Sequence, residues 1–207
     1  AAYTLAIPIV LFVRLIRPLK LLRFGYFFTG RIGHFAFDVE YYLTENKLGI
    51  HPDNTIDLFF YYGKPANKFF SKITKRSVYI LGFAKYLFNV NSILPLGKEH
   101  QINPAAIRCG SRDVKGLFSQ TTIQLQFTSE ENNKGLAFYK SLGMKKNEKF
   151  ICLNVRDSAY LDSPKFNYHN YRDSEIDTYE KAALVMANKG YWVFRMGKVV
   201  HKTFNAD

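Results

Sequence analysis

Phe150-Ile-Cys-Leu-Asn-Val155, running straight into Arg156-Asp-Ser-Ala-Tyr160, is the stretch whose reading decides the fold. An apolar run of strand type stops abruptly at an Arg-Asp pair. An aromatic-rich loop follows, then a second Arg-Asp pair within Tyr171-Arg-Asp-Ser-Glu-Ile176, and then a helical pattern over Glu175–Lys189. Ile176, Tyr179, Ala183 and Met186 recur there at helical spacing, Ser174 stands at the cap position with Asp177 beyond it, and Gly190 ends the pattern. Tyr191–Met196 reads as a second strand, closed by Gly197. Strand, helix, strand of these lengths is a βαβ unit, and strands joined in that way are parallel. The expected class is therefore α/β. Charged pairs at the carboxyl end of a parallel strand and beside a helix N-terminus are where open α/β sheets hold phosphate-bearing ligands. The pattern points to an enzyme that handles an anionic small molecule.

Working outward, Thr128-Ser-Glu-Glu131 spells a capping box, with Leu136, Tyr139 and Leu142 as the apolar face of the helix and Gly143 as its stop. A basic linker, Lys145–Lys149, separates it from the strand. Further upstream, Arg31–Leu43 reads as a turn leading into a helix that turns Phe35, Val39, Tyr42 and Leu43 inward. Ile56–Tyr62 reads as a strand ending at Gly63, Lys68–Ile73 as a helix, Ser77–Leu81 as a short strand and Phe83–Leu94 as a further helix. Pro95–Gly116, rich in Gly, Pro and polar residues, reads as a loop with local turns. The chain accordingly divides into an apolar and basic segment over 1–24, an α/β domain over 25–145, and the opening βαβ of a second α/β domain over 146–207. Ala1 opens inside an apolar run and Asp207 follows soon after a strand, so the expectation is a piece of a longer protein.

The first segment carries no charge over Ala1–Val13, after which Arg14, Arg17, Lys20 and Arg23 recur at three-residue intervals. Thirteen uncharged residues are fewer than the roughly 20 a spanning helix needs. Three readings stay open: an interfacial anchor that buries its Leu, Ile and Phe side chains and offers its cations to anionic lipid, the end of a spanning helix, and a buried helix of a soluble domain. Membrane association is the favoured one, with the protein cytoplasmic and peripheral to, or anchored at, the inner face of the plasma membrane.

Of 207 residues 47% are hydrophobic and 16% aromatic, enough to bury a core and to exclude disorder. The formal charge of +12 favours anionic partners, whether nucleic acid, acidic lipid or phosphorylated substrate. No helix-turn-helix, zinc-finger or RNP pattern supports the first of these, so nucleic acid is set aside. Two cysteines, Cys109 and Cys152, are too few for a disulfide framework and lack zinc-ligand spacing, and Cys152 reads as a small core residue. No metal site is expected. Serine-nucleophile, Walker and G-x-G-x-x-G motifs are absent.

Four constellations carry potential chemistry. In Arg31-Ile-Gly-His34, with Asp38 one helical turn beyond, the carboxylate would orient the imidazole as a base, and Gly33 would let backbone N–H groups approach a phosphate or hydroxyl. The plainer reading is a surface turn with a solvated or capping His34. Arg156 and Asp157, with Tyr160, would hold a phosphate and a sugar hydroxyl, or else form an internal ion pair that pins the loop. Tyr171, Arg172 and Asp173 precede the helix cap, where Arg172 adds to an anion site and the acids complement the helix dipole. The rings of Phe166, Tyr168 and His169 would stack on a sugar or base, or merely cover a sheet edge. Arg195 lies inside an apolar strand and must point into a cleft or pair with Asp157 or Asp173.

On Arg31-Ile-Gly-His34, Phe150–Leu161, Tyr171-Arg-Asp-Ser-Glu-Ile176 and Gly190-Tyr-Trp-Val-Phe-Arg-Met-Gly197, the chain resembles a bacterial family of glycosyltransferases from surface-polysaccharide gene clusters. The layout also looks like heptosyltransferases and other two-domain, GT-B-type transferases. The resemblance implies a Rossmann-like acceptor-side domain followed by the truncated start of a Rossmann-like nucleotide-sugar domain. It implies transfer of a sugar from a nucleotide-sugar donor to a glycan or lipid-linked acceptor, with no metal or other cofactor. His34 or Asp38 would deprotonate the acceptor, and Arg156, Arg172 and Arg195 would neutralise the departing diphosphate. The relatives carry Asp where this chain has His34. The competing class is a non-enzymatic, membrane-peripheral module that binds anionic lipid or polysaccharide.

Overall fold

The computed structural model describes residues 1–157, 159, 164–197 and 199–204, with the backbone alone at 165 and 166. The chain forms two compact units, Ala1–Phe127 and Thr128–Asp207. The division falls ahead of the capping-box helix, upstream of the linker at 145 where the sequence pattern divides the chain.

The first unit is a parallel four-stranded sheet in the order β3-β2-β1-β4, built from β1 (Leu21–Phe28), β2 (Thr55–Tyr62), β3 (Tyr79–Ile80) and β4 (Gln101–Ile102). The helices are α1 (Ala2–Leu15), α2 (Ile32–Lys47), α3 (Lys68–Ser77), α4 (Ala84–Ile93) and the short α5 (Ala105–Cys109). Side-chain alternation along β1 and β2 feeds both faces. Phe27 and Phe59 pack with Phe35, Val39 and Tyr42 of α2 on one face, and Phe24 packs with Val10 of α1 and Leu87 and Val90 of α4 on the other. Helices on both faces of a parallel sheet make this the expected Rossmann-like α/β architecture.

Two strands escape the sequence pattern. β1, the central strand, begins inside the segment set apart as 1–24, because Arg23 and Gly25 interrupt its apolar run. Arg23 is nevertheless buried: its guanidinium donates to both oxygens of Asp57 at 2.8 and 2.6 Å, and the Tyr42 hydroxyl donates to Asp57 at 2.6 Å. Gly25 is demanded by close approach, since a Cβ there would stand 2.7 Å from the Phe59 ring and 3.0 Å from Ile102 Cβ. That contact seats β4 beside β1, within the stretch 95–116 that reads as loop.

The cations of the first segment turn to the protein. Arg14 donates to Asn91 Oδ1 at 2.8 Å and to the Pro95 carbonyl at 2.6 Å, Arg17 pairs with Glu99 at 2.5 Å, and Lys20 donates to Asn54 at 2.6 Å. Helix α1 buries Ala6, Val10 and Val13 against the sheet and α4, and leaves Leu5, Leu11, Phe12 and Leu15 exposed. The inner face of α1 packs on the domain, and Arg14, Arg17 and Lys20 have partners within the chain. Among the described residues no helix is long and apolar enough to cross a membrane.

The second unit contains α6 (Ser129–Ser141), β5 (Lys149–Asn154), α7 (Glu180–Asn188) and β6 (Tyr191–Met196), with β5 and β6 paired in parallel from Lys149–Tyr191 to Asn154–Met196. The capping box forms: the Thr128 hydroxyl accepts from Glu131 N–H, and the Glu131 carboxylate accepts from Thr128 N–H. Tyr139 of α6 packs its ring against Phe150 and Phe194. Cys152, read as a core residue, is exposed, because its strand has only one neighbour and a thinly covered face.

Candidate functional site

Strand order reverses between β1 and β4. The chain builds β1, β2 and β3 outward, then crosses back through α4 to lay β4 on the other flank of β1. The carboxyl ends of strands at such a reversal are where open α/β sheets gather ligand-facing segments. Here those segments are Thr29–His34, leading into α2, and the stretch from Asn103 through α5 to Ser111.

Thr29 fixes the first of them. It is fully buried, its hydroxyl donates to the Gly63 carbonyl at 2.7 Å, and its own carbonyl accepts from Ala66 N–H at 2.8 Å. The loops after β1 and β2 are thereby tied together, with Gly63 in the left-handed region at φ +96°. Gly30, Arg31 and Gly33 beyond it are exposed. Neither glycine has a neighbour within 4 Å of a hypothetical Cβ, so no internal packing requires them and the space beside the turn is open. Arg31 is the N-cap of α2 in extended conformation and makes no side-chain cap bond.

His34 is half-buried on the first turn of α2, and its Nδ1 lies 2.8 Å from Ser111 Oγ. Its ring centroid is 6.4 Å from that of Phe28 at the end of β1. Asp38, one turn further, is 1% exposed. Its Oδ1 accepts from Ala106 N–H at 2.8 Å, and its Oδ2 is buried without a hydrogen-bond partner. Burial pushes the Asp38 carboxyl up from its ordinary range, and the backbone amides of Ala106 and Phe28 and the nearby His34 and Arg108 oppose the shift. The expected His34–Asp38 pair is thus a close electrostatic neighbourhood rather than a hydrogen bond, because α5 and the turn after it engage both side chains: Ser111 lies against the imidazole and Ala106 N–H donates to the carboxylate. Helix α5 is itself locked to α2, where Arg108 forks onto Glu45 with two 2.6 Å hydrogen bonds. Sequence spacing finds His34 and Asp38 but misses Ser111 and Ala106, since nothing local marks Pro95–Gly116 as the partner of α2.

Rings gather at the same strand ends. Tyr26 sits among Phe28, Phe60, Tyr62 and Phe88 at centroid distances of 5.3 to 5.7 Å, and Tyr62 is 57% exposed. The alternation Phe24, Tyr26, Phe28 opposite Phe60, Tyr62 is the sequence signal that would have found them.

In the second unit the carboxyl ends of β5 and β6 hold the other predicted groups. Arg156 Nε donates to Asp173 Oδ1 at 3.0 Å, and Arg195 Nη2 donates to Asp157 Oδ2 at 3.2 Å. Asp157 also accepts from the backbone N–H of Ala159 and His201, each at 3.1 Å. Burial disfavours its ionised form, but these amides and Arg195 outweigh that and hold its carboxyl below the ordinary range. The Ser174 N–H donates to the Arg156 carbonyl at 2.8 Å. The structure therefore brings Arg156, Asp157, Asp173 and Arg195 together as two crossed ion pairs. Both arginines form ion pairs within the chain, and Arg156 bonds Asp173 rather than its neighbour. Arg172 stands apart from them, exposed, with its guanidinium 5.4 Å from the centroid of the exposed Tyr171 ring and against His169 Nδ1.

The expected helix cap is corrected. Ile176–Tyr179 is a 3-10 turn and α7 begins only at Glu180, so Arg172 and Asp173 do not border the N-terminus of a long helix. With its N–H held by Arg156, Ser174 turns its hydroxyl to the Tyr179 hydroxyl at 3.1 Å, and Asp177 pairs with Lys202 at 2.6 Å. Tyr160 and the Phe166 side chain lie outside the described residues. Tyr168 and His169 pack on one another with centroids 3.8 Å apart. Among the described residues no group of His, Cys, Asp and Glu is placed to hold a metal.

Comparisons with protein-family models, with curated proteins and with solved structures find no match to this chain.

Proposed function

We propose that the chain is part of a glycosyltransferase that moves a sugar from a nucleotide-sugar donor to a glycan or lipid-linked acceptor. The observation that carries the reading is the position of His34 at the carboxyl end of β1, where strand order reverses, with a buried carboxylate one turn beneath it. In this reading the acceptor hydroxyl loses its proton to His34 as its oxygen attacks the anomeric carbon. The bond from that carbon to the diphosphate breaks, and the nucleoside diphosphate leaves with the electron pair. Asp38, too buried to meet the acceptor, stabilises the imidazolium that forms. Arg31 and the open turn Gly30–Gly33 lie beside the reacting groups.

The crossed ion pairs change how the diphosphate would be met. Arg156 and Arg195 already have carboxylate partners, so their group is close to neutral. Its part is to shape the end of the second sheet, while the exposed Arg172 supplies charge to the phosphates. The reading also sets the protein against the inner face of the plasma membrane, through the exposed apolar face of α1 rather than through Arg14, Arg17 and Lys20.

Thermal unfolding of the intact protein with a panel of nucleotide sugars tests the donor class. One donor should raise the midpoint in a concentration-dependent way, since a ligand at 100 times its Kd adds about 2.7 kcal/mol to the stability of the form it binds. Arg172→Ala should weaken that response. A flat response to every nucleotide sugar counts against the reading.

A further inference from the structure

We propose that Ser111 is a positioning residue for His34: its oxygen accepts the Nδ1 proton of the imidazole and so leaves Nε2 as the unprotonated nitrogen. The inference rests on the reading of His34 as a base. A neutral imidazole has one N–H and one lone pair, and the partner of one nitrogen decides the state of the other. A serine hydroxyl can serve either way. If it donates to Nδ1, Nε2 carries the proton and cannot accept one from an acceptor hydroxyl. If it accepts from Nδ1–H, Nε2 is free to do so.

Ser111 is built into this position with unusual care for a loop residue. It is a non-glycine residue in the left-handed region, at φ +53°, directly after Gly110 at φ +60°. Two consecutive left-handed residues swing the chain off the end of α5 and bring the hydroxyl to 2.8 Å from His34. A side chain in that backbone region is strained, and the strain persists only where the surroundings enforce it. The chain is held on both sides. Ser111 N–H reaches back to the Ala105 carbonyl at 3.4 Å, and the Asp113 carboxylate accepts from Leu117 and Phe118 N–H at 2.8 and 2.9 Å. Among the described residues, the hydrogen-bond partner of the His34 ring is thus on a strained, anchored turn.

Nitrogen-15 NMR of the histidine side chains in the intact protein tests this without any substrate. At a pH where His34 is neutral, the wild-type protein should show the Nδ1–H form as its major tautomer. Ser111→Gly removes the hydroxyl while suiting the backbone, and should shift the tautomer ratio of His34 by roughly 2- to 10-fold, the equivalent of one hydrogen bond. Ser111→Asn, which tolerates the left-handed region and restores an acceptor oxygen, should recover part of the shift. A wild-type His34 that is mainly protonated on Nε2 overturns the proposal, as does a ratio unmoved in Ser111→Gly. Failure of the transferase reading is seen separately, as absence of sugar transfer by the wild-type protein.

Discussion

Asp38 is the residue whose energetics differ most from its sequence context. An acid on a helix face four residues from a histidine reads as half of a surface pair. The structure instead buries it, satisfies Oδ1 through Ala106 N–H and, among the described residues, leaves Oδ2 without a hydrogen bond of good geometry, with the Phe28 amide close by. Its folded-state carboxyl is raised above the unfolded value, so between those two values the folded protein holds more protons than the unfolded chain. Stability attributable to Asp38 is therefore full at low pH and declines as pH rises through that window. Asp38→Asn should remove this decline, and urea unfolding should find the variant more stable than wild type at neutral pH but not at acid pH. Equal loss of stability at both pH values would show that Asp38 acts through packing alone. Glu45 has the opposite sign. Burial works against its charge, but His51 and Arg108 overcome that and bring its carboxyl down to about 2, so its contribution is present above the ordinary carboxylate range and is lost only as pH falls toward 2. At this scale the sequence singles out His34, Asp38, Arg156 and Arg195, and for Arg195 it offers Asp157 as a partner, which the structure shows. The partners of His34 and Arg156 lie beyond its reach: Ser111 is 77 residues from His34 and Asp173 is 17 from Arg156.

At the scale of elements, legibility follows length and pattern. The βαβ of the second unit and the helix starting at Thr128 are plain because apolar periodicity and capping chemistry agree there. β4 has two residues and no period to read, so only the notch at Gly25 explains where it goes. β1 is hidden by a buried arginine, whose partner Asp57 lies on the neighbouring strand. The 3-10 turn ahead of α7 is likewise decided by tertiary contacts of Ser174 and Asp177, which a local cap signal does not contain. In α1 the outer apolar face is the feature left open. Leu11, Phe12 and Leu15 are 53%, 60% and 76% exposed. Each such side chain removed from water contributes about 1.5–3 kcal/mol, whereas Arg14 and Arg17 are already engaged within the chain. Sedimentation with lipid vesicles should therefore persist as salt is raised, and should be reduced by Phe12→Glu with Leu15→Glu. Binding that disappears at high salt, or that requires anionic lipid, would restore the reading in which the cations face the membrane.

For the whole molecule, the charge of +12 is a net excess that the ion pairs Arg23–Asp57, Arg108–Glu45, Arg156–Asp173 and Arg195–Asp157 leave untouched, because each cancels one cation against an acid already subtracted. What organises the protein is a pair of parallel α/β units, the first with its polar groups converging where strand order reverses and the second with crossed ion pairs at its strand ends. The fold class follows from pattern; the chemistry depends on which side chains the topology brings to those ends. The claim that His34 removes the acceptor proton is tested most directly by acceptor-dependent release of nucleoside diphosphate from a nucleotide sugar, measured for the intact wild-type protein and for His34→Gln. The account predicts release by the wild type that rises with acceptor, and a fall of about 10²- to 10⁴-fold in the variant, the range for loss of a general base. Release at the wild-type rate by His34→Gln would contradict it.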